Sequence, residues 1–395
     1  MVLKKDDRGL ISVTAMGIGS VVGAGIFALL GEVILQAGNL SYYSFIIAGI
    51  AAMFSGYSYA KLSGKYPDSG GLTDYFKIAF KSRAVSGTFT LIYYITSFVS
   101  ISMLAKSFGI YACKFLHDAA MEPVCVNYFA SGIIIALAIL NMMGADKVGN
   151  AETLMVAFKF FVLLSLIAGA FIELDVRSDK VDFMPTPTAF LGSIGITFFA
   201  YAGYGIITNA AADVKNPKFT IAAAIYLTII IVALLYTSLA YIILKYIPEA
   251  DLTANADTAI TIAAEKLFGK WGYGIMFAAA IIAFISGISA TYFSVFRISY
   301  ALAEQKIMPK IYHKRFWEHG TYGNALSVAV LTLATIYFDF NSIVNLASGA
   351  YLVSYLAVFA ASWVLRRETG ASPVLILLGS ALMVFILVMF LANIY

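Results

Sequence analysis

The segment GSVVGAGIF (residues 19–27) places three glycines near the middle of a long apolar stretch. No charged residue lies between residues 9 and 31, and about 20 apolar residues in a helix cross a ~30 Å hydrocarbon core. Glycine destabilises the interior of a helix, so Gly19, Gly23 and Gly25 predict that this first membrane span is interrupted. The alternative is that Gly19 and Gly23 let a second helix pack closely, as small residues four positions apart do in membranes.

Apolar stretches without charge recur along all 395 residues, of which 61% are hydrophobic and 12% are charged. Soluble domains are about 25% charged. The basic residues lie mostly in loops, so the formal net charge of +4 gives no indication of a nucleic-acid partner. The pattern predicts an all-α polytopic membrane protein with eleven spans, at residues 11–37, 42–60, 85–112, 126–143, 152–173, 189–211, 220–245, 270–300, 324–338, 341–365 and 373–394.

Most lysines and arginines lie on alternate connections between these spans, beginning with Lys4, Lys5 and Arg8. Cytoplasmic loops carry such an excess, so we expect a multi-pass protein of the plasma membrane with its N-terminus in the cytoplasm. The two cysteines, Cys113 and Cys125, then lie at the outer ends of consecutive spans. A disulfide between them is possible, and two free thiols are the favoured interpretation.

Glycines interrupt the sixth span as well, at Gly203 and Gly205 in FFAYAGYG (198–205). Each interruption opens a block of five spans, and because five is odd the two blocks would lie in opposite orientations in the membrane. Paired interrupted helices that head two inverted halves indicate the binding site of a secondary transporter. We therefore predict one membrane domain made of two inverted repeats and an extra helix 11, at residues 1–173 (helices 1–5), 189–365 (helices 6–10) and 373–395.

An unwound helix at mid-membrane depth frees backbone polar groups, which is tolerated only where the backbone is buried in protein or lines a cavity. Freed N–H groups at a helix N-terminus suit a carboxylate, and freed carbonyls suit an ammonium group. A site with both kinds of group is complementary to the zwitterion of an α-amino acid.

Five segments resemble those of the amino acid–polyamine–organocation (APC) superfamily of transporters, in the order in which that superfamily has them. They are GSVVGAGIF (19–27), SYAKLSGKYPDSGG (58–71), LNMMGADKVGNAE (140–152), FFAYAGYGIITNAAADVKNP (198–217) and RISYALAEQKIMP (297–309). AFKFF and YGIITNA are also similar to segments of an archaeal proton-coupled amino acid transporter of that superfamily. The resemblance covers roughly residues 10–365 and implies the five-plus-five, leucine-transporter-like fold with alternating access.

The resemblance also implies which residues bind the substrate. Backbone N–H groups near the first interruption would bind the substrate carboxylate, and carbonyls of both interruptions would bind its ammonium group. The third span would contribute one wall. The implied residues are Gly23, Ala24 and Gly25 for the carboxylate, Val21, Phe199 and Ala202 for the ammonium, Gly203 at the second interruption, and Ser97 and Ile101 of the third span.

Three aromatic residues adjoin the second interruption, so one of Phe199, Tyr201 and Tyr204 would gate the site. The resemblance favours Phe199, with Tyr201 next. The sequence departs from the superfamily at Gly205, where many members have an acidic residue, and in having eleven spans where many members have twelve. Without that carboxylate, a pocket for a cationic side chain is disfavoured, and we expect neutral amino acids as substrates.

Two lysines, Lys106 and Lys159, lie inside predicted spans, where no Asp, Glu or His lies well inside. Intramembrane charges are costly and usually functional. The alternative is that each side chain snorkels to an interface about seven residues, or ~10 Å, away. Burial disfavours the charged form of a lysine, so Lys159, the stronger candidate, could exchange a proton during transport. The resemblance implies that its ammonium group lies near Gly19, Ser286 and Ser289.

The sequence therefore predicts a secondary active transporter that moves neutral amino acids with H⁺ and has broad specificity. We expect no metal and no other cofactor, only the amino acid and the lipid bilayer as partners, and a monomer as a possible unit. An exchanger of amino acids or amines on the same fold is one alternative, and a non-transporting amino-acid receptor is another. No metal cluster or motif-backed nucleophile–base pair is recognisable in the spans, so we do not predict an enzyme.

Overall fold

The structure, a computed structural model, describes residues 9–22, 25–67, 71–116, 123–144, 149–172, 183–317 and 320–394. Within these ranges the secondary structure is helical, apart from an isolated bridge between Arg315 and Thr321. The α-helices, numbered in chain order, are α1 (Leu10–Val21), α2 (Gly25–Ala37), α3 (Ser41–Lys65), α4 (Leu72–Ala79), α5 (Arg83–Leu116), α6 (Pro123–Met142), α7 (Gly149–Ile172), α8 (Pro187–Ala200), α9 (Pro217–Tyr246), α10 (Glu249–Ala254), α11 (Ala259–Glu304), α12 (Tyr322–Tyr337), α13 (Phe340–Val364), α14 (Arg366–Thr369) and α15 (Pro373–Ile394).

Every predicted span has a helical counterpart. In the part of the chain that the structure describes, nine stretches are long and apolar enough to cross a membrane, and one of them, Gly25–Lys65, joins α2 to α3. The apolar helices Leu10–Val21 and Tyr322–Tyr337 are shorter. The chain is thus an all-α polytopic membrane protein. Lys4, Lys5 and Arg8, which are predicted to lie in the cytoplasm, are outside the described residues.

Several helices begin where the local sequence favours a start. α8 begins at Pro187, and the hydroxyl of Thr186 accepts a hydrogen bond from the backbone N–H of Ala189 at 3.2 Å. Proline at the first helical position and a threonine cap stabilise a helix N-terminus. The predicted start of the eighth span, residue 270, coincides with a break within α11, because Gly269 has φ of +64° and ψ of −157°, outside the helical region. The residues from Ala259 to Phe268 form a helical segment that precedes this break.

The long helices pack around the two helices that end early, α1 and α8. α3 lies along α9, and α5 packs against α6, α11 and α13. α1 contacts α9 and α7, whereas α8 contacts α2, α3 and α13. The extra helix α15 also packs against α8 and α13, and the amide of Asn393 donates to Gln36 of α2 at 3.4 Å.

The prediction of two free thiols is wrong. Cys113 and Cys125 form a disulfide, with their Cα atoms 6.1 Å apart. The bond is possible because α5 and α6 pack side by side, which brings the last turn of one helix next to the first turn of the other. The disulfide fixes this helix pair at the predicted outer face.

Candidate functional site

The first span is interrupted where its glycines predict. α1 ends at Val21, and the backbone N–H of Val22 closes its last turn by donating to the carbonyl of Ile18 at 2.8 Å. A new helix, α2, begins at Gly25. Gly23 and Ala24, which are predicted to bind the substrate carboxylate, lie outside the described residues.

The sixth span is interrupted in the same way. α8 ends at Ala200, and Gly203 has φ of +125°, a conformation that side chains other than glycine rarely adopt. The backbone N–H of Ala202 donates to the carbonyl of Phe199 at 2.9 Å in the tight turn between them. Beyond the turn, residues Tyr204–Asp213 form a 3-10 helix, so the second half of this span is wound more tightly than an α-helix.

The two interruptions lie against each other. The hydroxyl of Ser20 donates to the carbonyl of Gly203 at 3.3 Å. Gly25 abuts the end of α8 so closely that a Cβ atom there would lie 3.1 Å from the Cα atom of Ala200. The fold thus brings residues that are far apart in the chain to one place, where two broken helices expose their ends to each other.

Two of the carbonyls predicted to bind an ammonium group already accept a hydrogen bond. Phe199 accepts from Ala202, and Val21 accepts from the hydroxyl of Tyr236 at 2.9 Å. Each carbonyl oxygen has two lone pairs, so a second donor can still approach. The sequence prediction did not include Tyr236. Its position in the apolar run of α9 was the available signal, because a buried tyrosine hydroxyl needs a partner.

The aromatic residues beside the second interruption are buried and differ in their surroundings. Phe199 faces Tyr351 of α13, with ring centroids 4.9 Å apart. Tyr201 is fully buried, and its hydroxyl donates to the carbonyl of Phe45 at 2.8 Å, which ties the end of α8 to α3. Tyr204 pairs with Ser55 of α3. Of the two predicted gates, Phe199 therefore has the fewer polar restraints in its surroundings.

The predicted residues of the third span are buried in α5. Ile101 is in the apolar core, and the hydroxyl of Ser97 donates to the carbonyl of Tyr93 in its own helix at 2.9 Å. Ser97 in turn accepts a bond at its carbonyl from Ser100 at 2.7 Å. These bonds keep the hydroxyls close to the backbone of α5, so this part of the helix presents a mainly apolar surface.

Lys159 of α7 is 1% exposed and contacts the first broken helix. Its ammonium group donates to the carbonyl of Gly19 at 3.0 Å and reaches the hydroxyl of Ser286 in α11 at 3.4 Å. Two of the contacts implied by the resemblance are thus present. The third predicted partner, Ser289, accepts a hydrogen bond from the amide of Asn141 at 3.1 Å, which ties α11 to α6.

Lys106 of α5 is 6% exposed and has different neighbours. Its ammonium group donates to the side-chain oxygen of Asn127 in α6 at 2.6 Å. The amide nitrogen of Asn127 donates to the carbonyl of Ile336 in α12 at 3.3 Å. Lys106 therefore joins intact helices, and none of its described hydrogen bonds is with a residue of either interruption that the structure describes.

Among the residues that the structure describes, no group of three or more His, Cys, Asp and Glu side chains could hold a metal ion. The site is built from helix ends, buried aromatics and one lysine. A polytopic helical protein in which two broken helices meet at a buried polar site has the architecture of a membrane transporter.

Comparison with known proteins supports that class and gives the family. The profile of the amino acid permease family matches residues 9–395, so the chain belongs to this family, which is part of the APC superfamily. The predicted superfamily is therefore confirmed. Its members are transporters and not enzymes, and the chain is a membrane-embedded transporter of amino acids or amines.

Three relatives illustrate the range of the family. The chain is 37% identical over 387 residues to the inner membrane transport protein YbaT of Escherichia coli K12. This match covers 98% of this chain and 90% of the relative. It is 24% identical over 335 residues to the branched-chain amino acid permease BcaP of Bacillus subtilis 168, with coverage of 80% and 71%. A cationic amino acid transporter of Arabidopsis thaliana, described as mitochondrial, is 24% identical over 377 residues, with coverage of 89% and 61%.

Proposed function

We propose that this protein is a proton-coupled symporter of neutral amino acids that works by alternating access in the plasma membrane. The observation that carries the proposal is the hydrogen bond from Lys159 to the carbonyl of Gly19. It connects a buried titratable group to the broken helix that would move during transport. An exchanger does not need such a connection, because the movement of one substrate out drives the movement of the other in.

The substrate would bind through its charged ends. The start of α2 at Gly25 supplies the positive end of a helix dipole, which favours the carboxylate. The carbonyls of Val21, Phe199 and Ala202 would accept the ammonium group. Since these groups belong to both broken helices, one zwitterion would join the two interruptions and favour a state in which they are close together.

The surroundings of Gly205 support a neutral substrate. A Cβ atom at Gly205 would lie 3.1 Å from the ring of Tyr59, so the ring fills the space that an acidic side chain would need. Tyr59 is itself packed against Tyr204 and Tyr355, with both pairs of ring centroids 5.9 Å apart. A cationic side chain would therefore find no carboxylate counter-ion at this position, where many members of the superfamily have one.

The proton would act through the position of α1. When Lys159 is charged, its ammonium group donates to Gly19 and to Ser286 and so joins α7, α1 and α11. A neutral amine donates more weakly, because charge-assisted hydrogen bonds are about twice as strong as neutral ones. Loss of the proton would therefore release α1 from its neighbours and bias the protein towards a second state.

The remaining predictions form part of the same proposal. The segments 1–173 and 189–365 would be inverted repeats, with the N-terminus in the cytoplasm and the helix at 373–395 outside the repeats. The presence of an interruption in the first helix of each segment supports this arrangement.

Uptake of radiolabelled amino acids into liposomes tests the proposal. The purified protein is reconstituted, and uptake is measured with and without an inward pH gradient, into empty and into preloaded vesicles. We expect uptake into empty vesicles that rises with the gradient. Uptake only into preloaded vesicles would support the exchanger, and binding without uptake under any condition would support the receptor.

A further inference from the structure

Tyr236 occupies a position that connects both interruptions. It lies in α9 and is 0% exposed, and its hydroxyl is 2.9 Å from the carbonyl oxygen of Val21 and 3.4 Å from that of Ala200. These are the carbonyls of the last residues of α1 and α8. Carbonyls in the last turn of a helix have no partner within the helix, so one side chain from a third helix serves the open ends of both.

The ring of Tyr236 is held in place while its proton is free to turn. The ring packs against Phe45 and Tyr201, with centroids 5.8 Å and 5.5 Å away. Tyr201 is itself fixed by its hydrogen bond to the carbonyl of Phe45. A hydroxyl group has a single proton to donate. Rotation about the bond between the ring and the oxygen redirects that proton from Val21 to Ala200 without movement of the ring.

We propose that Tyr236 is a positioning residue for transport, which caps the end of α1 when the site is empty and turns to the end of α8 when the substrate takes the carbonyl of Val21. When the ammonium group of an amino acid binds the carbonyl of Val21, the hydroxyl of Tyr236 turns to Ala200. This inference rests on the proposed function in one respect, the identity of the ligand. The connection of Tyr236 with both helix ends does not depend on the ligand, since it follows from the distances of its hydroxyl to the carbonyls of Val21 and Ala200.

The proposal has a measurable consequence for ligand binding. In Tyr236→Phe, the empty protein loses the hydrogen bond to Val21 at 2.9 Å, whereas the loaded protein loses the longer one to Ala200 at 3.4 Å. Because a longer hydrogen bond is weaker, the substitution destabilises the empty state more than the loaded state. The difference is a fraction of one net hydrogen bond, so the dissociation constant should fall about twofold to threefold.

Tyr246→Phe is the matched control. Tyr246 lies in the same helix, and its hydroxyl donates to the carbonyl of Ala170 in α7 at 2.7 Å. The control therefore removes one hydroxyl that binds a backbone carbonyl, but at a place remote in sequence from both interruptions. It should lower the thermal stability of the empty protein as Tyr236→Phe does and leave the dissociation constant unchanged.

The experiment has two measurements on the full-length protein. In the first, the common L-amino acids are added one at a time to the wild type, and the one that raises Tm most is titrated against all three proteins. We expect tighter binding by Tyr236→Phe alone. Equal or weaker binding than the wild type would overturn the release of Val21. If Tyr236→Phe fails to fold, Tyr201→Phe, which loosens the ring of Tyr236, should tighten binding about twofold.

The second measurement needs no ligand. Hydrogen–deuterium exchange is followed in peptides that cover residues 10–22, the length of α1, in the empty proteins. Faster exchange in Tyr236→Phe than in Tyr246→Phe supports the capping of α1, and equal exchange overturns it. If no amino acid affects the wild type while the exchange difference is present, the proposed substrate is wrong and the capping by Tyr236 stands.

Discussion

Lys159 and Lys106 are the two lysines inside the predicted spans, and the structure gives them different partners. Both are almost completely buried. Lys159 donates to a backbone carbonyl of α1, the helix that ends at the first interruption. Lys106 donates to the side chain of Asn127 in the unbroken helix α6. The same residue type at a similar depth is thus attached to a broken helix in one case and to a continuous helix in the other.

The charges around the two lysines differ as well. Asp339 interacts electrostatically with Lys106. Hydrogen bonds from the side chain and backbone of Ser342, at the start of α13, lower the pKa of Asp339, so this carboxylate is charged. Lys106 therefore has a permanent negative charge in its surroundings. The ammonium group of Lys159 donates to two uncharged oxygens, the carbonyl of Gly19 and the hydroxyl of Ser286. The comparison teaches that two lysines at a similar depth can be attached to different kinds of helix, and the proposed proton coupling rests on the attachment of Lys159 to a broken one.

Replacement of Lys159 should have the largest effect. In Lys159→Ala we expect the stimulation of uptake by an inward pH gradient to fall about 100-fold, which corresponds to ~2.7 kcal/mol. The physical reason is the loss of the titratable donor to Gly19. Uptake into liposomes with and without the gradient measures it. Lys159→Arg is the control for charge and should fold normally and respond as weakly, because arginine keeps its proton. An unchanged response in the alanine variant would contradict the difference between the two lysines.

Removal of the partner of Lys106 should affect stability and not coupling. Asn127→Leu leaves the ammonium group of Lys106 buried without its amide oxygen, and we expect a loss of about 2 kcal/mol in the free energy of unfolding. Chemical unfolding in detergent measures it. The response of uptake to the pH gradient should match that of the wild type. A lost response would show that Lys106 also takes part in coupling.

Replacement of Lys106 itself should cost less. Lys106→Met keeps the length of the side chain and removes the buried charge, so only the oxygen of Asn127 is left without a donor, and we expect a loss of about 1 kcal/mol. The comparison of this variant with Asn127→Leu in the same unfolding assay isolates the cost of the unpaired charge. If Lys106→Met were the less stable of the two variants, the ammonium group would stabilise the protein even without the amide oxygen of Asn127, which would contradict the expected cost of an unpaired buried charge.

The smallest effect is expected at the second partner of Lys159. Ser286→Ala removes an oxygen that lies 3.4 Å from the ammonium group, and a contact of this length should change the response of uptake to pH by about threefold. Ser289→Ala is the matched control, since Ser289 accepts from Asn141, and it should leave the response unchanged. Equal effects of both serines would indicate that packing of α11 is responsible.

The spans and both interruptions could be predicted from the sequence because each is a local pattern. Apolar runs of about 20 residues define membrane helices, and clustered glycines mark the ends of α1 and α8. Gly203 illustrates how local this signal is, since its positive φ is a property of one residue. The resemblance to known transporters added the contacts of Lys159 with Gly19 and Ser286, which the apolar pattern alone does not indicate.

What could not be predicted depends on contacts between distant parts of the chain. Tyr236 is 215 residues from Val21, and no pattern in α9 reveals which carbonyl its hydroxyl reaches. The disulfide could not be predicted because the sequence places Cys113 and Cys125 at helix ends without showing that they meet. Only the packing of α5 on α6 brings the two sulfur atoms together. The tight 3-10 winding of Tyr204–Asp213 also has no local signal, since the same residues read as an ordinary apolar helix.

The disulfide between Cys113 and Cys125 has a consequence for membrane topology. Disulfides persist in oxidising compartments such as the bacterial periplasm and are rare in the reducing cytosol. In the orientation proposed above, the bonded ends of α5 and α6 would lie on the oxidising side of the membrane, and the connections at the opposite ends of those helices on the reducing side. In intact cells, a reductant that does not cross the membrane, followed by a thiol label, will report which way round the whole bundle is inserted.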